Sequence, residues 1–208
     1  MFLKITLSTV AACALSYAFI LISKRIGYEY GSKKREILSV VLTGIYVLLI
    51  SYFSRKSFSF TVQHEMYFPL FLIAAVISIS SSFIDLKYQE IPDSYNLATV
   101  GLGLVSVVLF PKLVNSAILI GGIMFGIYFL ILIITGAMGG GDVKMAGALG
   151  TLIPTSMLGT FLISPFAVGS VIALYLLIVK KQNKNLKIPF GPYITIGYLI
   201  TIFRFWAL

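Results

Sequence analysis

Residues 113–141, LVNSAILIGGIMFGIYFLILIITGAMGGG, run for 29 positions without a charged side chain and deliver three glycines to Asp142. A helix rises about 1.5 Å per residue, so roughly 20 apolar residues cross the hydrocarbon core of a bilayer. This stretch is a membrane span. Outward from it, further charge-free runs cover 5–23, 37–54, 66–84, 94–111, 145–179 and 188–203. All read as single spans except 145–179, which is too long and carries Pro154 and Pro165. A break near Ile163–Pro165 divides it in two. The expected fold is an all-α polytopic membrane protein, a bundle of about eight transmembrane helices with short loops. Residues 1–208 then form a single integral membrane domain, with two variable N-terminal spans in 1–65 and the working core in 66–208.

Composition agrees. Hydrophobic residues make up 59% of the chain and charged ones 11%, with a mean hydropathy of +1.00. That leaves too little polar surface to cover a soluble particle, and it excludes disordered, collagenous and disulfide-stapled classes. Cys13 is the single cysteine and His64 the single histidine, so no zinc ligand set is available and neither metal nor cofactor is expected. The net charge of +9 follows topology. With eight spans and external termini, Lys24, Arg25, Lys33, Lys34, Arg35, Lys87, Lys144, Lys180, Lys181, Lys184 and Lys187 face the cytoplasm. That is eleven of sixteen basic residues, as the positive-inside rule prefers. One unbroken span over 145–179 would spoil the bias. The bases are scattered over short loops, which argues for attraction to membrane lipid and against a nucleic-acid partner. Residues 1–23 have a thin basic start and no small-residue cleavage site, so they are expected to stay as a span.

The three aspartates, Asp85, Asp93 and Asp142, all fall at cytoplasmic helix ends in this topology. Ordinary roles exist for each: Asp93 as the N-cap of the fourth span, Asp85 with Lys87 and Asp142 with Lys144 as surface ion pairs. The run Gly139-Gly140-Gly141 before Asp142 points elsewhere. Three missing side chains allow close backbone approach and positive φ, at an entropic cost that a plain turn has no need to bear. Such a turn suits an extended peptide docking beside a carboxylate. Two carboxylates meeting on one water could hydrolyse that peptide without a metal, sharing one proton between them. The sequence does not show whether Asp85 and Asp142 meet.

These segments resemble a known family. Gly139-Gly140-Gly141-Asp142 matches the G-x-G-D motif of membrane-embedded aspartyl proteases. Asp85-Leu86-Lys87-Tyr88-Gln89-Glu90-Ile91-Pro92-Asp93 resembles the first-aspartate motif of type IV prepilin peptidases, and Pro189-Phe190-Gly191-Pro192-Tyr193 resembles their Pro-Phe-Gly-Pro segment. The likeness covers roughly 66–205, and the first two spans add little to it. It implies an aspartic endopeptidase that removes the short basic leader from type IV pilin-like or pseudopilin precursors at the cytoplasmic membrane face. Asp85 and Asp142 would be the catalytic pair, with Gly139, Gly140, Gly141, Lys144, Pro189, Phe190, Gly191 and Pro192 shaping the site. A lysine at an inner helix end, as Lys144 is here, is more often a topology anchor than a group that tunes Asp142, and the Pro-Phe-Gly-Pro segment also reads as a helix start. Many bacterial members also carry two Cys-x-x-Cys pairs between the first two spans and N-methylate their product. Here that loop is residues 24–36 and holds no cysteine, which implies a peptidase-only form.

Two other classes fit the composition. A transporter or channel would place its carboxylates near the bilayer midplane, whereas these cluster at one face. A non-catalytic assembly subunit would explain the glycines by helix packing but not the three motifs in order.

Overall fold

The computed structural model describes residues 2–53, 62–136, 138–179 and 188–207. Among them the chain forms eight α-helices and no strand: α1 (Phe2–Arg25), α2 (Lys33–Phe53), α3 (Val62–Tyr88), α4 (Asp93–Leu109), α5 (Val114–Thr135), α6 (Gly140–Gly150), α7 (Leu158–Ile178) and α8 (Gly191–Ala207). Five of them, α1, α2, α3, α5 and α7, hold stretches long and apolar enough to cross a membrane. The protein is an all-α polytopic membrane protein. Residues 54–61, with Arg55 and Lys56, and residues 180–187, with Lys180, Lys181, Lys184 and Lys187, lie outside the described residues, as does the side chain of His64, whose backbone belongs to the start of α3.

Helix α3 is the hub. In the most apolar 18-residue stretch within Phe68–Tyr88, 83% of residues are buried, against 17% in the corresponding stretch of the span that contains α7. Its run Ser78-Ile79-Ser80-Ser81-Ser82 explains how: small side chains let neighbouring helices approach, and the hydroxyls of Ser78, Ser81 and Ser82 bond back to carbonyls of their own helix. Helices α1, α2, α4 and α8 pack around α3, while α5 and α4 flank α6.

Residues 145–179 divide elsewhere than expected. Helix α6 ends at Gly150, a buried connection through Leu152 and Ile153 follows, and Pro154 opens a 3₁₀ turn over Thr155–Met157. Pro165 lies inside α7. Its ring is accommodated by a gap in the neighbour: a Cβ on Gly197 of α8 would come within 2.5 Å of Pro165 Cγ. Ser164 Oγ donates to Thr160 O and Gly197 O beside it. Partner helices of this kind let a proline persist in a membrane helix. With 11 residues α6 is only about 16 Å long and cannot span alone. Its non-helical continuation survives at depth because it is covered by protein.

One end of the bundle gathers the polar loops. Tyr28 Oη donates to Glu90 Oε1 (3.2 Å), and Glu29 N donates to Tyr88 Oη (3.2 Å), so the α1–α2 and α3–α4 loops meet. Lys144 Nζ reaches Asp93 Oδ1 at 2.7 Å, placing the start of α6 beside the start of α4. Helices α7 and α8 are antiparallel: Arg204 faces Thr160 at one end, and Gly169 faces Phe190 and Tyr193 at the other. Residues 24–36, 85–93 and 138–147 therefore share one face with the end of α7 and the start of α8.

Candidate active site

Asp85 sits in the last turn of α3, whose helix is stopped by the Ile91-Pro92 step. Gln89 takes a left-handed turn (φ 53°) and donates its N–H to Asp85 O at 2.8 Å. Pro92, extended at φ −61° and ψ 135°, then starts α4. Asp142 is the third residue of α6, after α5 has been ended by Gly136 at φ 62°. Both carboxylates are buried, at 3% and 7% exposure. Both line one cavity of about 640 Å³ at the polar face, near enough for the charge of Asp85 to act on Asp142. The structure thus brings together two aspartates from separate helices, one at the end of α3 and one at the start of α6.

Each carboxylate is held by a glycine N–H at the start of a helix. Gly191 N donates to Asp85 Oδ2 at 2.9 Å, and Gly139 N donates to Asp142 Oδ2 at 3.1 Å. The carboxylate oxygens lie close over the Cα atoms, closer at Gly191 than at Gly139. A Cβ on Gly191 would stand 2.7 Å from Asp85 Oδ2, and one on Gly139 3.3 Å from Asp142 Oδ2. At Gly141 the neighbour is backbone and an aliphatic side chain, since a Cβ there would meet Ile91 Cβ at 3.1 Å and Ile91 N at 3.3 Å. The missing side chain lets α6 lie against the α3–α4 loop. Gly140 opens into free space. None of the three has positive φ, so close approach, and not left-handed backbone, is what this glycine run provides. Asp142 Oδ1 is buried without a hydrogen-bond partner.

The Pro189–Tyr193 segment fixes the far wall. The Phe190 ring packs on Phe166 (5.5 Å), Tyr193 (5.5 Å) and Tyr128 (6.2 Å), and its carbonyl accepts the N–H groups of Tyr193 and Ile194. Pro189 lies in the approach to α8, and Pro192 is its second residue, as a helix start predicts. Deeper, Thr195 Oγ1 bonds Ser82 Oγ (2.6 Å) and donates to Ser78 O (2.9 Å), clamping α8 to α3 three residues before Asp85.

Several expectations are corrected. Asp93 is not an N-cap; it is the first helical residue, and its side chain pairs with Lys144. Lys144 is consequently not the partner of Asp142, and Lys87 faces Glu29 (3.8 Å) and not Asp85. The N-terminal spans contribute more than the sequence indicated. Ile26 and Tyr28, from the loop after α1, line the carboxylate cavity. That loop is anchored by Tyr30, fully buried and stacked on Phe83 at 5.9 Å. Its aromatic run Tyr28-Glu29-Tyr30 was the available signal. Among the described residues no three His, Cys, Asp or Glu side chains gather into a metal site.

Comparison with known proteins points the same way. Residues 70–178 match the type IV leader peptidase family. The chain belongs to that family. A prepilin leader peptidase/N-methyltransferase of Legionella pneumophila is 29% identical over 163 residues, 74% of this chain and 55% of the relative. One of Stutzerimonas stutzeri is 32% identical over 126 residues, 57% of this chain and 44% of the relative. The chain spans about half the length of the curated relatives it matches. No solved structure matches it. The family segment starts in α3 and closes with α7, so it contains both aspartates and the glycine run; Gly191 lies beyond it.

Proposed function

We propose that this membrane protein is an aspartic endopeptidase that removes the leader from type IV pilin-like precursors, with Asp85 and Asp142 as its catalytic pair. The observation that carries this reading is the convergence of two buried carboxylates on one open cavity, each held by a single backbone N–H. Neighbouring like charges in a poorly solvated site favour a state in which one proton is shared. The ionised carboxylate takes a proton from water. The protonated one donates to the scissile carbonyl oxygen; as the tetrahedral intermediate collapses, the first gives the proton it took from water to the leaving amine and the second recovers its own from the hydroxyl. The unpartnered Oδ1 of Asp142 is available to the water or the substrate. Water attack and amine release need nothing further from a cofactor.

The polar face carrying the cavity is the cytoplasmic one in this reading, supported by the bias of basic residues, and the protein resides in the inner membrane. The α1–α2 loop has no cysteine insert, so the activity is leader cleavage without N-methylation. Asp85→Asn and Asp142→Asn should each abolish conversion of a pilin-like precursor in membranes at matched enzyme levels. Asparagine keeps the shape but can neither take nor share the proton. The double variant should be no worse than either single, as for groups acting as one unit. Undiminished processing by either single variant would overturn the assignment.

A further inference from the structure

Tyr128 of α5 lies behind the carboxylate pair and has no part in the chemistry described so far. Helices α5 and α6 run antiparallel, and their glycines fix the register. A Cβ on Gly150 would come within 3.1 Å of Gly121 Cα, and one on Gly147 within 3.0 Å of Phe125 Cβ. Continued by one helical turn toward the polar face, that register sets Tyr128 level with the start of α6, at Asp142 and Val143. Its hydroxyl is near enough for the charge of Asp142 to act on it. Gly121 and Phe125 also line an apolar groove of about 560 Å³, which runs between α4 and α5 beside the cavity. Tyr128 lines neither that groove nor the carboxylate cavity. Its ring packs instead on Phe166 at 5.3 Å and Phe190 at 6.2 Å.

Two buried polar atoms at this level lack partners, and they are complementary. Tyr128 is fully buried and its Oη makes no hydrogen bond; Asp142 Oδ1 is buried and accepts none. One is a donor and the other an acceptor. A phenylalanine would fill the same space between Phe166 and Phe190 without the cost of drying a hydroxyl, so packing alone does not explain the Oη. The other oxygen of Asp142, Oδ2, already takes the Gly139 N–H. A hydroxyl bonds an ionised carboxylate about twice as strongly as a neutral group. Pairing Oη with Oδ1 therefore gains most in the state in which Asp142 has lost its proton. Each carboxylate oxygen has two lone pairs, so Oδ1 can accept from Tyr128 and from the attacking water together.

We propose that Tyr128 is a positioning residue for Asp142: its hydroxyl donates to Oδ1 of the ionised carboxylate, making Asp142 the base and leaving the shared proton on Asp85. The proposal rests on the peptidase reading above and adds to it a division of roles between the two aspartates. The other titratable groups around the pair do not supply this bias. Tyr28 of the α1–α2 loop donates to Glu90, Asp93 of α4 pairs with Lys144 of α6, and Tyr193 of α8 packs on Phe190. Helices α5 and α7 carry no charged side chain. Asp85 is thus the charged neighbour of Asp142, and Tyr128 is the group that distinguishes the two.

The test is the pH dependence of precursor cleavage by the full chain in proteoliposomes, with kcat and KM measured separately. The acidic limb reports the first proton lost by the pair, the loss that leaves Asp142 ionised. Removing a donor that stabilises the ionised form moves that limb to higher pH. The second proton leaves from a state in which Asp142 is already ionised, so the basic limb should stay. Tyr128→Phe should therefore raise the acidic limb by about one pH unit and lower kcat by up to about tenfold, with KM within about twofold. Its melting temperature in detergent should stay level or rise. A fluorinated tyrosine incorporated at position 128 keeps the ring and makes the hydroxyl a stronger donor, so it should move the acidic limb the other way. Ser16→Ala, which removes a buried unpartnered hydroxyl from α1, is the control and should shift neither limb. Full kcat with an unmoved acidic limb in Tyr128→Phe overturns the proposal. A loss of kcat with an unmoved limb overturns it too, as does an equal shift in Ser16→Ala, since either marks a packing role. Unaltered enzyme and Asp142→Asn are assayed in parallel. If the first cleaves and the second is silent while Tyr128→Phe behaves as unaltered, only the Tyr128 assignment falls. If the unaltered enzyme does not cleave, or Asp142→Asn does, the peptidase reading falls and takes the assignment with it.

Discussion

Replacing Gly191 by alanine tests the geometry of the site without touching a titratable group. The new methyl would stand 2.7 Å from Asp85 Oδ2 and 3.0 Å from Ile91 Cδ1, and a Cβ has no torsion by which to turn away. Relief to an ordinary contact of 3.4 Å moves the carboxylate or the start of α8 by about 0.7 Å. The Gly191 N to Asp85 Oδ2 distance, now 2.9 Å, would then pass the limit of a hydrogen bond. Bonds to charged groups contribute about 1.5–3 kcal/mol, and a 1 Å misplacement of reacting groups costs about 10²-fold. Both routes give a loss of about 10- to 100-fold in kcat. The assay is precursor cleavage in proteoliposomes at fixed enzyme, with thermal stability in detergent measured alongside. Gly126→Ala, whose added methyl meets nothing within 4 Å, is the control and should be near unaltered. A Gly191→Ala enzyme with the full kcat would refute the idea that this N–H positions Asp85. A loss of rate matched by collapse of stability would instead reveal a folding defect, and Gly191→Ser would then be expected to behave alike.

The Asp93–Lys144 pair is exposed, with 75% and 53% of the side chains accessible, and such pairs contribute about 0–1 kcal/mol. Asp93→Asn and Lys144→Met should leave stability unchanged and alter cleavage by no more than a few-fold, with single and double variants alike; a large coupling in a double-mutant cycle of kcat would give the pair a part in the chemistry. Cleavage should proceed at full rate after dialysis against EDTA, because the donors among the described residues form no metal-binding group. Loss in chelator with recovery on adding zinc or manganese would contradict the proton-transfer scheme.

Much of this was legible in the sequence because a bilayer imposes one strong rule. Charge-free runs of the right length must be helices, and counting them with one break in 145–179 gives the eight helices found among the described residues, although the sixth is too short to span. The burial of Asp142 was legible for a related reason: it ends a 29-residue charge-free run, and the structure leaves it 7% exposed. The break at Pro154 was not legible, since Pro154 and Pro165 carry the same local signal. The choice was made by Gly197, which gives the Pro165 ring a place on a different helix. The Asp93–Lys144 pair was hidden for the same reason, as a contact between helix starts 51 residues apart. Residues 26–30 carry only the weak signal of Tyr28-Glu29-Tyr30, which matches no motif; their position over the cavity depends on Tyr30 finding Phe83.

The short α6 links these observations. A full-length span there would fill the gap between α4 and α5 and remove the apolar groove beside the cavity. A half-length helix also begins at the polar face, with an N–H at its start on Asp142, and the start of α8 does the same for Asp85 from the opposite wall. Burying one carboxylate costs several kcal/mol, and a second nearby raises the cost. Two helix starts, each giving one N–H to one carboxylate, offset part of that without neutralising either group as a lysine would. The lysines nearest in sequence are in fact engaged elsewhere, Lys144 with Asp93 and Lys87 with Glu29. A structural carboxylate pair would gain from a cation. A pair that must pass a proton back and forth would lose by it, because a fixed positive charge would hold both groups ionised. Among the described residues, no lysine stands as a direct partner of Asp85 or Asp142, which is what the proposed chemistry requires. Gly140 lines the cavity and has free space around it, so Gly140→Lys can bring an ammonium to the pair without a clash. That variant should silence precursor cleavage in proteoliposomes while its melting temperature in detergent stays level or rises, and cleavage at the unaltered rate would refute the shared-proton argument.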